Sequence, residues 1–177
     1  MKNKLEIVLK KPAIIGIFVL GLIPSAIKAQ VKSQPLEVVG KMFEAFGKGD
    51  MESLKKTVSE KTVWIYEGPR AIPYTGSYEG KKGVVQFITN ISSNVEILDF
   101  KVLKMLAENN TVVALGYEKQ KIKVNGNILE QKWVQVYTVE NGLITRMEEY
   151  ANTAAAERLF KKNRNGKHNR SHFDKKS

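Results

Sequence analysis

The chain has 177 residues, no cysteine, two histidines and a formal net charge of +11. Without cysteine there is no disulfide, no lipid-bearing cysteine and no thiolate chemistry. Both histidines, His168 and His172, fall in the last ten residues, so the rest of the chain has no side chain for a histidine-based nucleophilic triad and no typical zinc ligand set. No metal and no cofactor is expected.

The charge is uneven. Residues 1–29 hold five lysines against Glu6, a net of +4, and residues 161–177 hold seven basic residues against Asp174, a net of +6. Residues 30–160 are left with +1. A nearly neutral body lacks the basic stripe of a nucleic-acid binder, so no nucleic-acid partner is expected.

Taken in order, the chain opens with a basic segment, Met1–Lys11. The apolar run AIIGIFVLGLI at Ala13–Ile23 and small residues up to Ala29 follow. This is the layout of a secretory signal peptide, cut after Ala29. Eleven apolar residues fall short of the roughly 20 needed to span a bilayer, so no stable membrane span is expected after cleavage. The expected organisation is a signal peptide at 1–29, one domain at 30–160 and a basic, disordered tail at 161–177. The expected location is outside the cytoplasm, periplasmic or secreted.

Within the domain, Leu36, Val39, Met42, Phe43 and Phe46 form a helical stripe, predicting a first helix over Ser33–Phe46. Pro35 suits its first turn and Gly47 and Gly49 stop it. Asp50 is a candidate N-cap for a short second helix. Thr62–Glu67 alternates as a strand, with Trp64 and Tyr66 on one face and Val63 and Ile65 on the other. Gly68–Glu79, rich in Pro, Gly and Tyr, reads as a long structured loop over a pocket mouth, with Arg70, Tyr74 and Tyr78 either forming a lid or packing the loop down. Val84, Phe87, Ile88 and Ile91 predict a third helix near 80–93.

From Val95 the period becomes two. Strands are predicted at Val95–Ala107, Thr111–Val124, Ile128–Val139 and Leu143–Ala151. Turns fall at Asn109-Asn110, Asn125-Gly126 and Asn141-Gly142, giving an antiparallel meander. Asn152 is placed to cap a last helix, Thr153–Phe160. Helices followed by a meander give an α+β fold, with the N-terminal helices on one side of a bent sheet. Trp133, Gln135 and Tyr137 share one strand face, while Val134 and Val136 occupy the other. Both sides are apolar, and the outer one is expected to be covered by a second copy, making a homodimer.

Three stretches carry a family resemblance: FEAFGKGDMESL (Phe43–Leu54), TVWIYEGPRAIPYTGSYEGKKGVVQF (Thr62–Phe87) and VYTVENGLITRMEEYANTAA (Val136–Ala155). Together they resemble the SnoaL-like branch of the nuclear transport factor 2-like superfamily, which includes ketosteroid isomerases, polyketide cyclases, limonene-epoxide hydrolases and non-catalytic binders. The resemblance spans about residues 34–156. It implies a cone-shaped, strongly curved antiparallel sheet with helices packed on its concave face around a deep pocket. Against the isomerases, Met42 stands at the tyrosine position and Ile65 or Tyr66 at the position of the acid base. Against the epoxide hydrolases, which use two inward acids on neighbouring strands bridged by an arginine, Glu149 and Glu118 stand at the acid positions. Gly116 stands at the arginine position, and Trp64 and Tyr66 at the water-holding ones.

The resulting expectation is a small, largely apolar ligand bound by Trp64, Tyr66, Tyr74, Trp133, Gln135 and Tyr137. The alternatives are a cofactor-independent hydrolase, isomerase or cyclase with Glu149 and Glu118 in acid–base roles, or a partner-binding module whose cavity is vestigial. A register slip of one residue would turn either glutamate to solvent, and the inward aromatics are equally compatible with ordinary core.

Overall fold

A computed structural model describes residues 23–162, with side chains from Gln34 onward. The basic and apolar segments of the expected signal peptide, and all but the first two residues of the expected tail, lie outside the described residues. The elements run α1 (Ile23–Lys48), α2 (Met51–Thr57), β1 (Val58–Tyr66), β2 (Gly76–Glu79) and α3 (Gly80–Asn94). They continue with β3 (Val95–Glu108), β4 (Thr111–Ile122), β5 (Ile128–Glu140), β6 (Leu143–Ala151) and α4 (Thr153–Lys161). Among the described residues no helix is long and apolar enough to cross a membrane.

The six strands form one curved, unclosed sheet in the order β2-β1-β6-β5-β4-β3. All neighbours are antiparallel except β1 and β6, which run parallel. The expected α+β layout is therefore present. The meander turns follow their sequence chemistry. Asn141 and Gly142 both take positive φ, 51° and 75°, as the tight β5–β6 hairpin requires. The capping residues also act as expected. Asp50 Oδ1 accepts from the Ser53 amide at 2.9 Å, and Asn152 Oδ1 accepts from the Ala155 amide at 3.1 Å.

Four boundaries differ from the sequence reading. Helix α1 is already helical at Ile23, ahead of the expected Ser33, so Pro35 lies in its interior and not in its first turn, and costs one helical hydrogen bond. Strand β1 starts at Val58, because Val58 pairs with Ile144 beyond an irregularity that ends at Val63. The last third of the 68–79 loop is the edge strand β2, whose residues 76–79 pair with β1 from Tyr66 back to Val63. Finally, β4 ends at Ile122. The Asn125-Gly126 turn is thus the tip of a five-residue connection, closed by Ile122 N–H to Asn127 O at 2.8 Å and Gly126 N–H to Ile122 O at 2.6 Å.

The sheet's curvature has a local cause. Strand β3 breaks register against β4 between Ile97 and Asp99 and again between Val102 and Lys104. Such extra residues bend and twist a strand, and here they accompany its packing on α1. The concave face packs on α1 and α3 through Val39, Met42, Val84 and Phe87, joined by Val112, Tyr137 and Met147 from the sheet. Strands β4 and β5 have no register shift along their pairing, so Glu118, Gln120, Gln131 and Gln135 all point to the buried side.

Candidate functional site: an aromatic cavity with two glutamine-held carboxyl groups

Inside the cone, α1, β1, the 68–75 loop, α3, β3, β4, β5 and β6 enclose one cavity. Met42, Phe43 and Phe46 come from α1, and Phe87, Ile88 and Ile91 from α3. Ile97 and Phe100 come from β3. Trp64, Tyr66, Tyr74, Glu118, Gln120, Gln135, Tyr137 and Glu149 complete the wall. The free volume is ≈ 50 Å³, room for about four water-sized groups. The floor is polar and the walls are mostly aromatic and aliphatic.

Two carboxyl groups sit in that floor, each held by glutamine. Glu118 is 7% exposed. Its Oε2 accepts from Gln120 Nε2 and its Oε1 from Gln131 Nε2, both at 2.6 Å. Gln120 in turn accepts from the Tyr74 hydroxyl at 3.2 Å. Glu149 is half-buried and lines the cavity. Its Oε2 accepts from Gln135 Nε2 at 2.9 Å, and Gln135 Oε1 accepts from the Tyr137 hydroxyl. The same chain of groups, tyrosine to glutamine to glutamate, therefore occurs twice.

The electrostatics separate the two. Burial pushes the Glu118 carboxyl up, while the two amide N–H groups pull it back toward the charged form. Burial first, and then repulsion from Glu118, push Glu149 up to about 8 against the single bond from Gln135. No salt bridge among the described residues involves either acid. Burial also raises the hydroxyl pKa of Tyr66, Tyr74 and Tyr137, keeping all three protonated at neutral pH.

Tyr66 pairs with Glu149 across the β1–β6 ladder. It is 1% exposed and stacks on Tyr74 with ring centroids 5.9 Å apart. Its hydroxyl has no hydrogen-bond partner within the described residues. A buried, cavity-lining hydroxyl in that condition is a polar group available to a ligand.

Seven of the eight residues expected at the site line this one cavity: Glu118, Glu149, Trp64, Tyr66, Tyr74, Gln135 and Tyr137. Trp133 does not. It lies in the core, 2% exposed, stacked on Phe100 at 5.1 Å and on Phe43 at 6.0 Å. The reason is its opposite number: Gly116 pairs with Trp133, and a Cβ at 116 would sit 1.9 Å from Trp133 Cζ2. The indole fills the space that an arginine at this position would need. The acids also do not lie on neighbouring strands, since β5 runs between β4 and β6. Tyr78 packs the loop down: its hydroxyl donates to Tyr74 O at 3.0 Å and accepts from Asn90 Nδ2 at 3.1 Å. Arg70 is exposed. Gln120 and Gln131 were missing from the sequence-based set, although two-residue alternation from Glu118 and from Trp133 reaches both. Among the described residues no cluster of three or more His, Cys, Asp or Glu is arranged to hold a metal ion.

Comparisons with known proteins agree with this geometry. The SnoaL-like domain family model matches residues 39–147. An uncharacterised protein of Mycobacterium tuberculosis is 25% identical over 126 residues, covering 71% of this chain and 95% of its own length. Among solved structures, a nuclear transport factor 2-like protein from Burkholderia xenovorans superposes with a TM-score of 0.66 at 24% identity, over 73% of this chain and 97% of its own. A protein from a Jannaschia species, named as a SnoaL-like polyketide cyclase, gives 0.62 at 15% identity, over 73% and 93% of the two chains. At these identities the structural likeness is one of fold.

Proposed function

We propose that this chain, which belongs to the SnoaL-like domain family, binds a small, largely apolar molecule in its conical cavity. The observation that carries the reading is the composition of the wall. Eight of its sixteen residues are aromatic, while its polar groups are gathered around Glu118 and Glu149. A concave, mostly apolar pocket with a few converging polar groups is the usual form of a small-molecule site. The checking measurement is mass spectrometry of molecules co-purifying with the full chain. A small apolar compound present near one per chain, and lost in Trp64→Ala, supports the reading. Its absence from every preparation counts against it.

One observation favours a catalytic version of the same site. Glu149 Oε2 is held by Gln135, and no protein donor reaches Oε1 among the described residues. With its carboxyl pushed up to about 8, Glu149 is mostly protonated at neutral pH and titrates just above it, the condition for a general acid. In a hydrolase, isomerase or cyclase it would pass a proton at Oε1. Glu118 would hold the field, and Tyr66 would donate to a ligand oxygen. If Glu149→Gln leaves every detected turnover unchanged, this version is wrong.

Two further expectations belong with this reading. The convex sheet face presents Leu106 at 51% and Tyr150 at 56% exposure beside half-buried Val113, Leu115, Val134 and Val136. A second copy of the chain covering it makes a homodimer, and sedimentation at micromolar concentration showing monomer alone would contradict that. Export predicts a mature chain starting at Gln30, which N-terminal sequencing of the protein from its natural host reads directly.

A further inference from the structure

We propose that the cavity's ligand carries one cationic nitrogen on an apolar body, seated between the aromatic wall and the two carboxyl groups. This rests on the reading that the cavity binds a small molecule, and it narrows the class of that molecule.

Charge accounting comes first. Among the described residues lining the cavity there are two carboxyl groups and no Lys, Arg or His. No ion pair there offsets either acid. A buried carboxylate without a counter-charge is costly. Glu118 nevertheless receives two amide N–H donors, one on each oxygen, an arrangement that favours its ionised form. Burial still pushes both carboxyl groups toward the neutral form, and the lining supplies no positive charge of its own, so a ligand cation would provide the missing counter-charge.

Shape and surroundings agree. Eight of the sixteen lining residues are aromatic, and the faces of such rings attract alkylammonium groups. The unpartnered Tyr66 hydroxyl, 1% exposed, lies in the same wall, and its oxygen can accept from a ligand N–H. The free volume suits a head group of about four heavy atoms. The other titratable groups facing the acids are Tyr66 from β1, Tyr74 from the loop and Tyr137 from β5, all protonated. Helices α1 and α3 and strand β3 contribute only apolar side chains to the wall.

Two probes of the same shape test this. Choline carries a trimethylammonium head, and 3,3-dimethylbutan-1-ol places carbon where choline has the charged nitrogen. Each is titrated calorimetrically into the full chain at constant ionic strength and pH 8.5. The expected result is choline binding at least about tenfold tighter than the alcohol. Glu118→Gln and Glu149→Gln should each erase most of that preference, read as the ratio of the two affinities within the same variant. Glu118→Gln preserves shape, and Gln131 Oε1, which has no partner, can accept from the new amide after a flip. Equal affinity for both probes overturns the cation assignment and leaves the small-molecule reading standing. Binding of neither probe also overturns it. If no compound co-purifies either, the small-molecule reading falls with it.

Discussion

The two carboxyl stations share a plan and differ in closure. At Glu118 both oxygens are taken by glutamine amides, and the group is 7% exposed. At Glu149 one oxygen is taken and the other has no protein donor among the described residues; both groups line the cavity. Between them on β5 lies Trp133, pressed onto Gly116 of β4. One acid is therefore fixed as part of the scaffold's field, while the other is free to exchange a proton with whatever enters. Burial raises both carboxyls, and the second amide donor at Glu118 and the repulsion felt by Glu149 set them apart.

The most disruptive test removes the spacer. Gly116→Ala places a methyl group 1.9 Å from the Trp133 ring, and the ring cannot yield without displacing Phe43 and Phe100. Overpacking of this kind costs about 3 kcal/mol, readable as a drop in urea midpoint and loss of the near-ultraviolet tryptophan signal. An unchanged midpoint would show that the indole has room to move.

Next in size is the pH dependence of Glu149. The unfolded chain loses this proton near 4.5, whereas the folded one keeps it to about 8. The native state therefore binds the extra proton across that window, and the group's contribution to stability falls as pH rises through it. Glu149→Gln removes the penalty. It should raise the unfolding free energy at pH 8.5 and change it little at pH 4, below both pKa values. A variant equally shifted at both pH values would assign the effect to packing. Glu118→Gln should lower the pKa of Glu149 by removing its charged neighbour, observable by carboxyl infrared or carbon NMR titration; an unchanged pKa would mean that the stations do not interact.

Smaller effects should separate the amides. Gln131→Leu strips Glu118 of one of two donors, costing about 1.5 kcal/mol in stability. Gln135→Leu strips Glu149 of its single donor and should cost about 1 kcal/mol, because Glu149 is already close to neutral and loses less. It should also raise the Glu149 pKa, since the lost bond lowers it. The reverse order of destabilisation would show that Glu118, not Glu149, is the open station.

Much of this fold was legible because its signals are local. The change from helical to two-residue period at Val95 marked the sheet, and Asp50, Asn152 and Asn141-Gly142 fixed element ends by their own chemistry. Strand β2 was not legible. GSYE is too short to show a period, and its pairing with β1 is decided by the intervening loop, in which buried Ile72 and Tyr74 anchor the chain to the core. At the site, alternation put Gln135 and Tyr137 on one strand face with Trp133, and the family resemblance pointed to Glu118 and Glu149. Alternation could not show that Trp133 would be withdrawn from the cavity, because that depends on which residue faces it across the ladder. Nor could it rank the two acids, since their difference lies in amides contributed by positions 120, 131 and 135 of two strands.

The shared volume at Gly116 and Trp133 also constrains how such a site can diverge. An arginine at 116 would bring a positive charge to the acids, but the indole already occupies its path. Shrinking Trp133 first would leave a hole in the core the size of an indole, at a cost of about 3–5 kcal/mol. Neither single change is neutral, so the two positions must be exchanged nearly together. Descendants of this sequence are thereby held on the uncompensated acid pair by an epistatic barrier, independent of any advantage the present site confers.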